Sequence, residues 1–220
     1  EYTIKTIVTS ELLKEIAEKN GIPCYDVYTG FKWIADMIRK KGADGYIGAG
    51  EESFGFMPGS FTRDKDAVSS TSLMAEIAAW AKDNGKTLFT LLKEIYAEYG
   101  FSQEKMIYIV RKGLSGAQEI KNMMSEFRHN SPSSINGSRV VIKKDYADLK
   151  ATDLTTGKAS PMDFPTTSDV LQFFLADGCK ISVRPSGTEP KIKFYFEARA
   201  EMESIADFEK AQQIANQKIE

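Results

Sequence analysis

The first candidate site is the segment Gly50-Glu51-Glu52-Ser53-Phe54-Gly55, here called the acidic loop, which places two carboxylates and a hydroxyl between glycines. A glutamate can accept hydrogen bonds from two adjacent hydroxyl groups, and a serine can donate or accept one. The flanking glycines let the backbone approach a ring closely. This composition predicts a sugar-binding loop, and a solvated acidic turn is the alternative interpretation.

The second candidate site is the segment Arg184-Pro185-Ser186-Gly187-Thr188-Glu189-Pro190, here called the arginine loop. Proteins bind phosphate with the planar guanidinium fork, with hydroxyl donors and with exposed backbone N–H groups. The loop offers all three, its prolines lower the entropy lost on binding, and Lys191 and Lys193 add positive charge nearby. The composition predicts a phosphate-binding loop. The alternative is an ordinary Pro/Gly turn, which does not require Arg, Ser or Thr.

Two other patterns are set aside as catalytic or metal-binding candidates. Asp64 and Asp66 stand just before a long apolar-striped helix, where aspartates are more often caps and dipole partners than metal ligands. His129 is the single histidine and lies in a polar stretch, so it does not support a Ser-His-Asp arrangement. We therefore predict no metal site within this chain.

The acidic loop follows a short predicted strand in a half of the chain where strands and helices alternate. The β-branched run 5–9 precedes a helical apolar pattern at 12–17, and the alternation continues to about residue 100. This order predicts a parallel sheet covered by helices. Open sheets of this type bind ligands beyond the carboxyl ends of their strands, where the acidic loop is expected.

The arginine loop lies between two predicted strands in a second half of different character. The predicted elements are strands at 105–111, 139–143, 170–175, 180–184 and 192–200 and helices at 117–127 and 205–219. The polar stretch 130–168 contains only one of them. These patterns predict an α/β domain with a mixed, mainly parallel sheet at 1–108, followed by a small α+β domain with an antiparallel sheet at 109–220.

The composition argues against several functional classes. The 220 residues are 42% hydrophobic and 27% charged, and no apolar run reaches the roughly 18 residues of a membrane span. A net charge of −2 argues against nucleic-acid binding. Cys24 and Cys179 lie far apart among apolar residues, which indicates buried free thiols in a reducing cytoplasm. The chain begins at Glu1 without a signal-peptide pattern, which suggests a piece of a longer protein.

Three segments resemble motifs of one family, the α-D-phosphohexomutases. The acidic loop is similar to that family's sugar-binding loop in the form typical of phosphoglucomutases, and the arginine loop is similar to the phosphate-binding loop of its fourth domain. Thr29-Gly30-Phe31-Lys32 is similar to a third segment, in which a lysine lies near the transferring phosphate. The family has four domains. The resemblance implies most of the third, without its first strand and helix, and all of the fourth, whose sheet resembles the TATA-binding protein.

For a complete protein the resemblance implies interconversion of hexose 1-phosphate and hexose 6-phosphate. A phosphoserine donates its phosphate, a bisphosphate such as glucose 1,6-bisphosphate forms and reorients, and Mg²⁺ assists. The family's phosphoserine and metal loops belong to earlier domains, and Arg128-His129-Asn130-Ser131-Pro132 is only a superficial echo of the first. We expect this chain to bind a phosphosugar without turning it over alone, with the N-terminal domains of the same protein as partners and with neither nucleic acid nor membrane.

The resemblance also implies roles for single residues. Glu51 and Ser53 would hold sugar hydroxyls, and Lys32 would stabilise transferring charge or move a proton, although its context alone favours a solvated lysine. The residues implied to hold the non-reacting phosphate are Arg184, Ser186, Gly187 and Thr188. The alternatives are a phosphopentomutase, a glucose-1,6-bisphosphate synthase or a non-catalytic phosphosugar-binding module.

Overall fold

The chain divides into two compact units, each with its own sheet. The computed structural model describes residues 1–113, 115–187 and 189–220. The first unit comprises Glu1–Phe101 and Glu201–Ala211, and the second comprises Ser102–Ala200 and Gln212–Glu220.

The first unit alternates strands and helices at its start, as the sequence predicts. Its elements in chain order are β1 (Tyr2–Thr6), α1 (Leu12–Lys19), β2 (Cys24–Val27), α2 (Phe31–Lys41), β3 (Tyr46–Glu51), β4 (Gly55–Pro58), α3 (Ala67–Asp83) and α4 (Leu88–Tyr99). The sheet order is β2-β1-β3-β4; β1 runs parallel to β2 and β3, and β4 runs antiparallel to β3. The predicted mixed, mainly parallel sheet is confirmed.

The strand β1 lies at the centre of the parallel group and is buried on both faces. Even Lys5 and Thr6 are buried, whereas a strand with one solvated face would alternate between buried and exposed residues. On α2, Phe31, Ile34 and Ile38 share one face and join the core of the unit. This packing fixes the start of α2 beside the carboxyl ends of the parallel strands.

The helices α3 and α4 begin at side-chain caps. The Oδ1 atom of Asp66 accepts a hydrogen bond from the N–H of Val68 at 3.0 Å. The Oγ1 atom of Thr87 accepts one from the N–H of Thr90 at 3.0 Å. Each cap pairs one of the backbone N–H groups that a helix leaves without an internal partner. The capping role predicted for Asp66 is confirmed.

The later part of the chain contains an antiparallel sheet, as predicted. The elements are β5 (Phe101–Val110), α5 (Gly116–His129), β6 (Ser134–Ile135), β7 (Ser138–Asp145), β8 (Lys150–Asp153), β9 (Ala159–Pro161), β10 (Leu171–Leu175), β11 (Lys180–Pro185), β12 (Lys191–Ala200) and α6 (Phe208–Ile219). The sheet order is β5-β12-β11-β10-β7-β8-β9, and β6 pairs with β7. The pairs from β12 through β11, β10, β7 and β8 to β9 are antiparallel.

The stretch 130–168 contains more strands than its composition predicts. The sequence indicates one strand, whereas the structure has β6, β7, β8 and β9. The strand β6 has two residues, and β9 is exposed along its whole length. Neither carries the apolar alternation that makes a strand visible in a sequence. The prediction of a single strand is wrong because backbone pairing rather than side-chain burial forms the short ones.

Buried polar contacts fix β11, the strand that leads into the arginine loop. The Nζ atom of Lys180 lies 3.2 Å from Oε2 of Glu197 across the β11–β12 pair, and both side chains are buried. The Nε2 atom of Gln172 donates to Oγ of Ser182 at 2.8 Å, and the hydroxyl of Tyr146 donates to Oε1 of Gln172 at 2.7 Å. An unpaired buried polar group costs about 1–3 kcal/mol, so these pairs define how the strands align.

Candidate functional site

The acidic loop forms the tip of the β3–β4 hairpin. Glu51 pairs with Gly55 in the ladder, and Glu52, Ser53 and Phe54 turn the chain between them. Ser53 and Phe54 are exposed, and Phe54 has a φ of 61°, in the left-handed region. Because β3 is parallel to β1, this tip lies beyond the carboxyl end of a parallel strand, where the sequence places a ligand site.

Gly55 brings the end of the acidic loop against the start of α2. A Cβ atom at this position would lie 2.5 Å from Cε2 and 2.9 Å from Cζ of Phe31. The Phe31 ring is buried in the core and has little room to move. A glycine is therefore required here by close packing rather than by an unusual backbone angle.

The carboxylate of Glu51 is held at the N-terminus of α2. Its Oε1 atom accepts a short hydrogen bond from the backbone N–H of Gly30, the residue that precedes the helix. A negative charge at this end of a helix is also favoured by the helix dipole. The structure thus gives Glu51, the predicted sugar ligand, a fixed position at the carboxyl end of β3.

Two threonines that the sequence analysis did not single out lie beneath the acidic loop. The Oγ1 atoms of Thr6 and Thr9 are 2.8 Å apart, and each lies 3.4 Å from Oε2 of Glu52. Thr6 ends β1, and Thr9 follows it in the loop before α1. The sequence contains only a weak signal for these threonines, which is that they are hydroxyl residues near the carboxyl end of a predicted strand.

Lys5 is a fully buried cation next to these threonines in the chain. Its Nζ atom lies 2.8 Å from Oδ1 of Asp26 and 3.0 Å from Oε1 of Glu11. Burial lowers the pKa of Lys5, but the charges of Asp26 and Glu11 outweigh burial, so its pKa is raised above the usual lysine value. The three side chains hold the ends of β1 and β2 and the start of α1 in one ion-pair network.

Lys32 is the second residue of α2 and is exposed. Its Nζ atom lies 5.2 Å from the centre of the Trp33 ring, at a distance that suits a cation–π contact. Lys32 stands two residues after Gly30, whose N–H binds Glu51. The predicted catalytic lysine and the predicted sugar ligand therefore occupy the same end of the sheet.

The arginine loop joins β11 to β12 within the second unit. Arg184 pairs with Lys193 in the ladder, and the N–H of Ser186 donates to the carbonyl of Lys191 at 2.7 Å. The Oγ atom of Ser186 accepts a hydrogen bond from the N–H of Glu189 at 3.3 Å. These two hydrogen bonds join the two sides of the loop to each other. Thr188, the remaining predicted phosphate ligand, lies outside the described residues.

Lys191, one of the two nearby lysines, forms an ion pair with a carboxylate of the loop itself. Its Nζ atom lies 2.6 Å from Oε2 of Glu189, and this ion pair lowers the pKa of the Glu189 carboxyl. The charge of Lys191 is thus largely offset by a residue of the loop itself. Arg184 is left as the main cationic candidate at the start of the loop.

The arginine loop borders an open cavity of about 740 Å³. The cavity is lined by loop residues and by the first turns of α5, with the cationic candidates Arg184 and Lys121 on its wall. The N-terminal end of a helix favours anions through its dipole and its unpaired N–H groups. The sequence pattern does not reveal Lys121 and α5 as parts of this wall, because only the fold brings them beside a loop more than sixty residues away in the chain.

Other features bear on the expected chemistry. Within residues 1–113, 115–187 and 189–220, no three His, Cys, Asp or Glu side chains are grouped so that they could hold a metal ion. In the same described part of the chain, no helix is long and apolar enough to cross a membrane. Cys24 is partly buried and Cys179 is buried, both are free thiols, and burial raises the pKa of each. Thiols with raised pKa values are poor nucleophiles at neutral pH.

Two family models match the chain. The model described as "Phosphoglucomutase/phosphomannomutase, alpha/beta/alpha domain III" matches residues 1–99. The model described as "Phosphoglucomutase/phosphomannomutase, C-terminal domain" matches residues 138–212. The first match contains the acidic loop, and the second contains the arginine loop.

Individual relatives agree with these matches. The chain is 35% identical over 204 residues to a phosphoglucomutase of Staphylococcus saprophyticus, covering 91% of the chain and 37% of the relative. It is 39% identical over 193 residues to a phosphoglucomutase of Staphylococcus aureus, covering 87% of the chain and 35% of that relative. The chain thus spans little more than a third of the length of these proteins.

A solved structure shares the fold. The open form of pp63/parafusin, a phosphoglucomutase from Paramecium, superposes with a TM-score of 0.65 at 20% identity over 98% of the chain and 38% of that protein. The structural match, the two family models and the staphylococcal relatives cover both units. The chain belongs to the phosphoglucomutase/phosphomannomutase family, of which it contains domain III and the C-terminal domain.

Proposed function

We propose that this chain is the phosphosugar-recognition part of an enzyme that interconverts hexose 1-phosphate and hexose 6-phosphate through a phosphoserine and a sugar bisphosphate. The observation that carries the proposal is that one chain of this family contains both a loop suited to sugar hydroxyls and a loop suited to phosphate. One unit presents carboxylates and a hydroxyl at the ligand edge of a parallel sheet, and the other presents an arginine loop on an open cavity. The staphylococcal relatives named phosphoglucomutase support the same reaction.

In this proposal each loop recognises one part of the substrate. Glu51, whose position is fixed by Gly30, and the exposed Ser53 bind sugar hydroxyls. Arg184 and Ser186, with the backbone of Gly187 and with Thr188, bind the phosphate that is not reacting. One loop binds hydroxyl groups and the other binds a phosphate, and neither distinguishes the carbon to which the phosphate is attached. The two loops can therefore accept the bisphosphate in either orientation.

The proposed chemistry also needs a phosphoserine and Mg²⁺. The resemblance to the family implies that both belong to earlier domains, so we propose that another part of the protein supplies them. Lys32 would stabilise charge on the transferring phosphate or move a proton. Glucose 1,6-bisphosphate would serve as intermediate and activator, the N-terminal domains of the same protein would be the partners, and the site of action would be the cytoplasm.

The function is tested on the whole protein with three substrates. Glucose 1-phosphate, mannose 1-phosphate and ribose 1-phosphate are compared with Mg²⁺ and glucose 1,6-bisphosphate present. We expect the highest kcat/KM with a hexose phosphate. A preference for ribose 1-phosphate would instead indicate a phosphopentomutase, net formation of bisphosphate would indicate a synthase, and binding without turnover would indicate a non-catalytic module.

Phosphate binding by the arginine loop is tested by replacing the guanidinium group of Arg184. Arg184→Lys keeps the charge but loses the two-bond fork, so we expect about tenfold weaker binding of glucose 1,6-bisphosphate, and about a hundredfold for Arg184→Ala. Calorimetric titration of the whole protein measures both values. The matched control is Arg139→Ala, an exposed arginine on β7 of the same unit that does not line the cavity. Equal affinities for wild type and both Arg184 variants would show that the loop is only a turn.

A further inference from the structure

Arg128 joins the end of α5 to two carboxylates of the second unit. Its Nε atom donates to Oδ2 of Asp145 at 2.8 Å, and its Nη2 atom donates to Oδ1 of Asp169 at 2.7 Å. The Arg128 side chain is only 24% exposed. Its backbone carbonyl also accepts a short hydrogen bond from Nζ of Lys143. Both ends of the residue are therefore fixed.

Asp169 borders the cavity of the arginine loop. It lines the same 740 Å³ space as Ser168 and Arg184, and its side chain is 49% exposed. The backbone on either side of Asp169 is bonded to Tyr146, through the N–H of Ser168 and the carbonyl of Val170. The fold thus places a carboxylate at the edge of a cavity proposed to accept a phosphate.

A bare carboxylate at this position would oppose the proposed function in two ways. It would repel the phosphate, because like charges close together raise the free energy of the complex. It would also compete with the phosphate for Arg184, since carboxylates and phosphates bind the same guanidinium fork. The ion pair with Arg128 would reduce both effects, because it holds one oxygen of Asp169 and places a positive charge beside it.

Arg128 is the cation that both carboxylates share, because Asp145 and Asp169 each form an ion pair with it. The loss of Arg128 would leave both carboxylates without the cation that binds them. Of the two, Asp169 lines the cavity, so its uncompensated charge is the one that would act on a bound phosphate.

We propose that Arg128 is a positioning residue for phosphate binding: it holds Asp169 and neutralises its carboxylate, so that the cavity beside the arginine loop accepts a phosphate dianion. This inference rests on the proposed function of the arginine loop. It gives a role to a segment whose likeness to the phosphoserine motif is superficial, and that role is electrostatic rather than nucleophilic.

The test is a charge-rescue series in the whole protein. Wild type, Arg128→Gln, Asp169→Asn and Arg128→Gln/Asp169→Asn are titrated with glucose 1,6-bisphosphate by calorimetry. We expect about fivefold to tenfold weaker binding for Arg128→Gln and affinity within about twofold of wild type for the double variant, because the repelling charge is then absent. The loss in Arg128→Gln should shrink at high ionic strength, since salt screens partly exposed charges.

A purely structural role for Arg128 gives a different pattern. In that case the double variant, which removes both partners of the ion pair, would bind as weakly as Arg128→Gln and the loss would not depend on salt. Either result, or an unchanged affinity for Arg128→Gln, would overturn the inference. If Arg128→Gln does not fold, Asp145→Asn is added to both Arg128→Gln variants, because it removes the more buried of the two carboxylates that lose their cation. Failure of Asp169→Asn to restore affinity in that background has the same meaning.

Failure of the proposed function is recognised separately. If Arg184→Ala binds glucose 1,6-bisphosphate as wild type does, the arginine loop is not the phosphate site and the role of Arg128 falls with it. If Arg184→Ala loses affinity while Arg128→Gln does not, the loop keeps its function and only the role of Arg128 is rejected.

Discussion

At the scale of single residues, Lys5 is a buried charge that holds together the elements next to the candidate site. It stands in a β-branched run, yet the central position of β1 buries it completely, and Asp26 and Glu11 supply the opposite charges. A buried ion that loses its partner is strongly destabilising. The network therefore stiffens the edge of the sheet on which the acidic loop and the start of α2 meet.

Lys5→Met should destabilise the first unit by about 3 kcal/mol, because it leaves two partly buried carboxylates without their cation. Chemical denaturation at neutral pH measures the change. The control is Lys14→Met, whose 3.8 Å contact with Glu18 on the surface of α1 is expected to contribute less than about 0.5 kcal/mol. Equal losses for both variants would contradict a special role for Lys5.

The pH dependence of this effect has a definite sign. The pKa of Lys5 is raised in the folded protein, so its stabilising contribution is fully present below the ordinary lysine value of 10.5. The contribution is lost only as the pH rises through the higher folded-state pKa. The difference between wild type and Lys5→Met should therefore stay constant from pH 6 to pH 9, and a difference that vanished in this range would contradict the network.

The sequence predicts some residues of the candidate site and misses others for a physical reason. Glu51 and Arg184 stand out because their chemical types suit a sugar and a phosphate. Arg128 and Asp169 do not, because they are 41 residues apart and only the fold joins them. The pairing of Thr6 with Glu52, 46 residues away, is equally invisible in the sequence.

At the scale of elements, the β3–β4 hairpin and α2 are held against each other by two contacts. Gly55 lets the hairpin lie against Phe31, and the bond from Gly30 to Glu51 ties the same two elements together. The alternation of strands and helices in this part of the chain was predictable, because each element carries a regular apolar pattern. The short polar strands of 130–168 were not, since their hydrogen bonds leave no such pattern.

Gly55→Ala should destabilise the first unit by about 1–3 kcal/mol, because the added methyl would overlap the buried Phe31 ring. Gly48→Ala is the control on the same hairpin: its Cβ would lie 3.6 Å from the carbonyl oxygen of Met57, an ordinary contact. Thermal denaturation compares the two variants. A melting temperature lowered equally by both would show that the close contact with Phe31 does not matter.

At the scale of the whole molecule, the chain corresponds to only part of its relatives. It covers 37% and 35% of the two staphylococcal relatives, and the family models match it as two successive domains. The domain assignment of 1–108 and 109–220 stays a prediction. Recognition and chemistry are therefore proposed to reside in different parts of the polypeptide.

The chain of 220 residues should bind without catalysis. We expect no conversion of glucose 1-phosphate to glucose 6-phosphate above background with Mg²⁺ and glucose 1,6-bisphosphate present, because the phosphoserine and metal groups are proposed to lie elsewhere. A coupled assay with the whole protein as positive control measures this. Turnover by the pure chain would place the chemistry within it and contradict the division of roles.

The buried pair Lys180–Glu197 also bears on how this family can diversify. A slip of one residue between β11 and β12 would separate the two charges and turn them toward opposite faces of the sheet, so the strands admit one alignment. Because alignment is set within the strands, the residues of the connecting loop are not needed to specify it. Substitutions at the tip are then expected to leave the framework intact, which makes this hairpin a place where loop residues can change during evolution without loss of the fold.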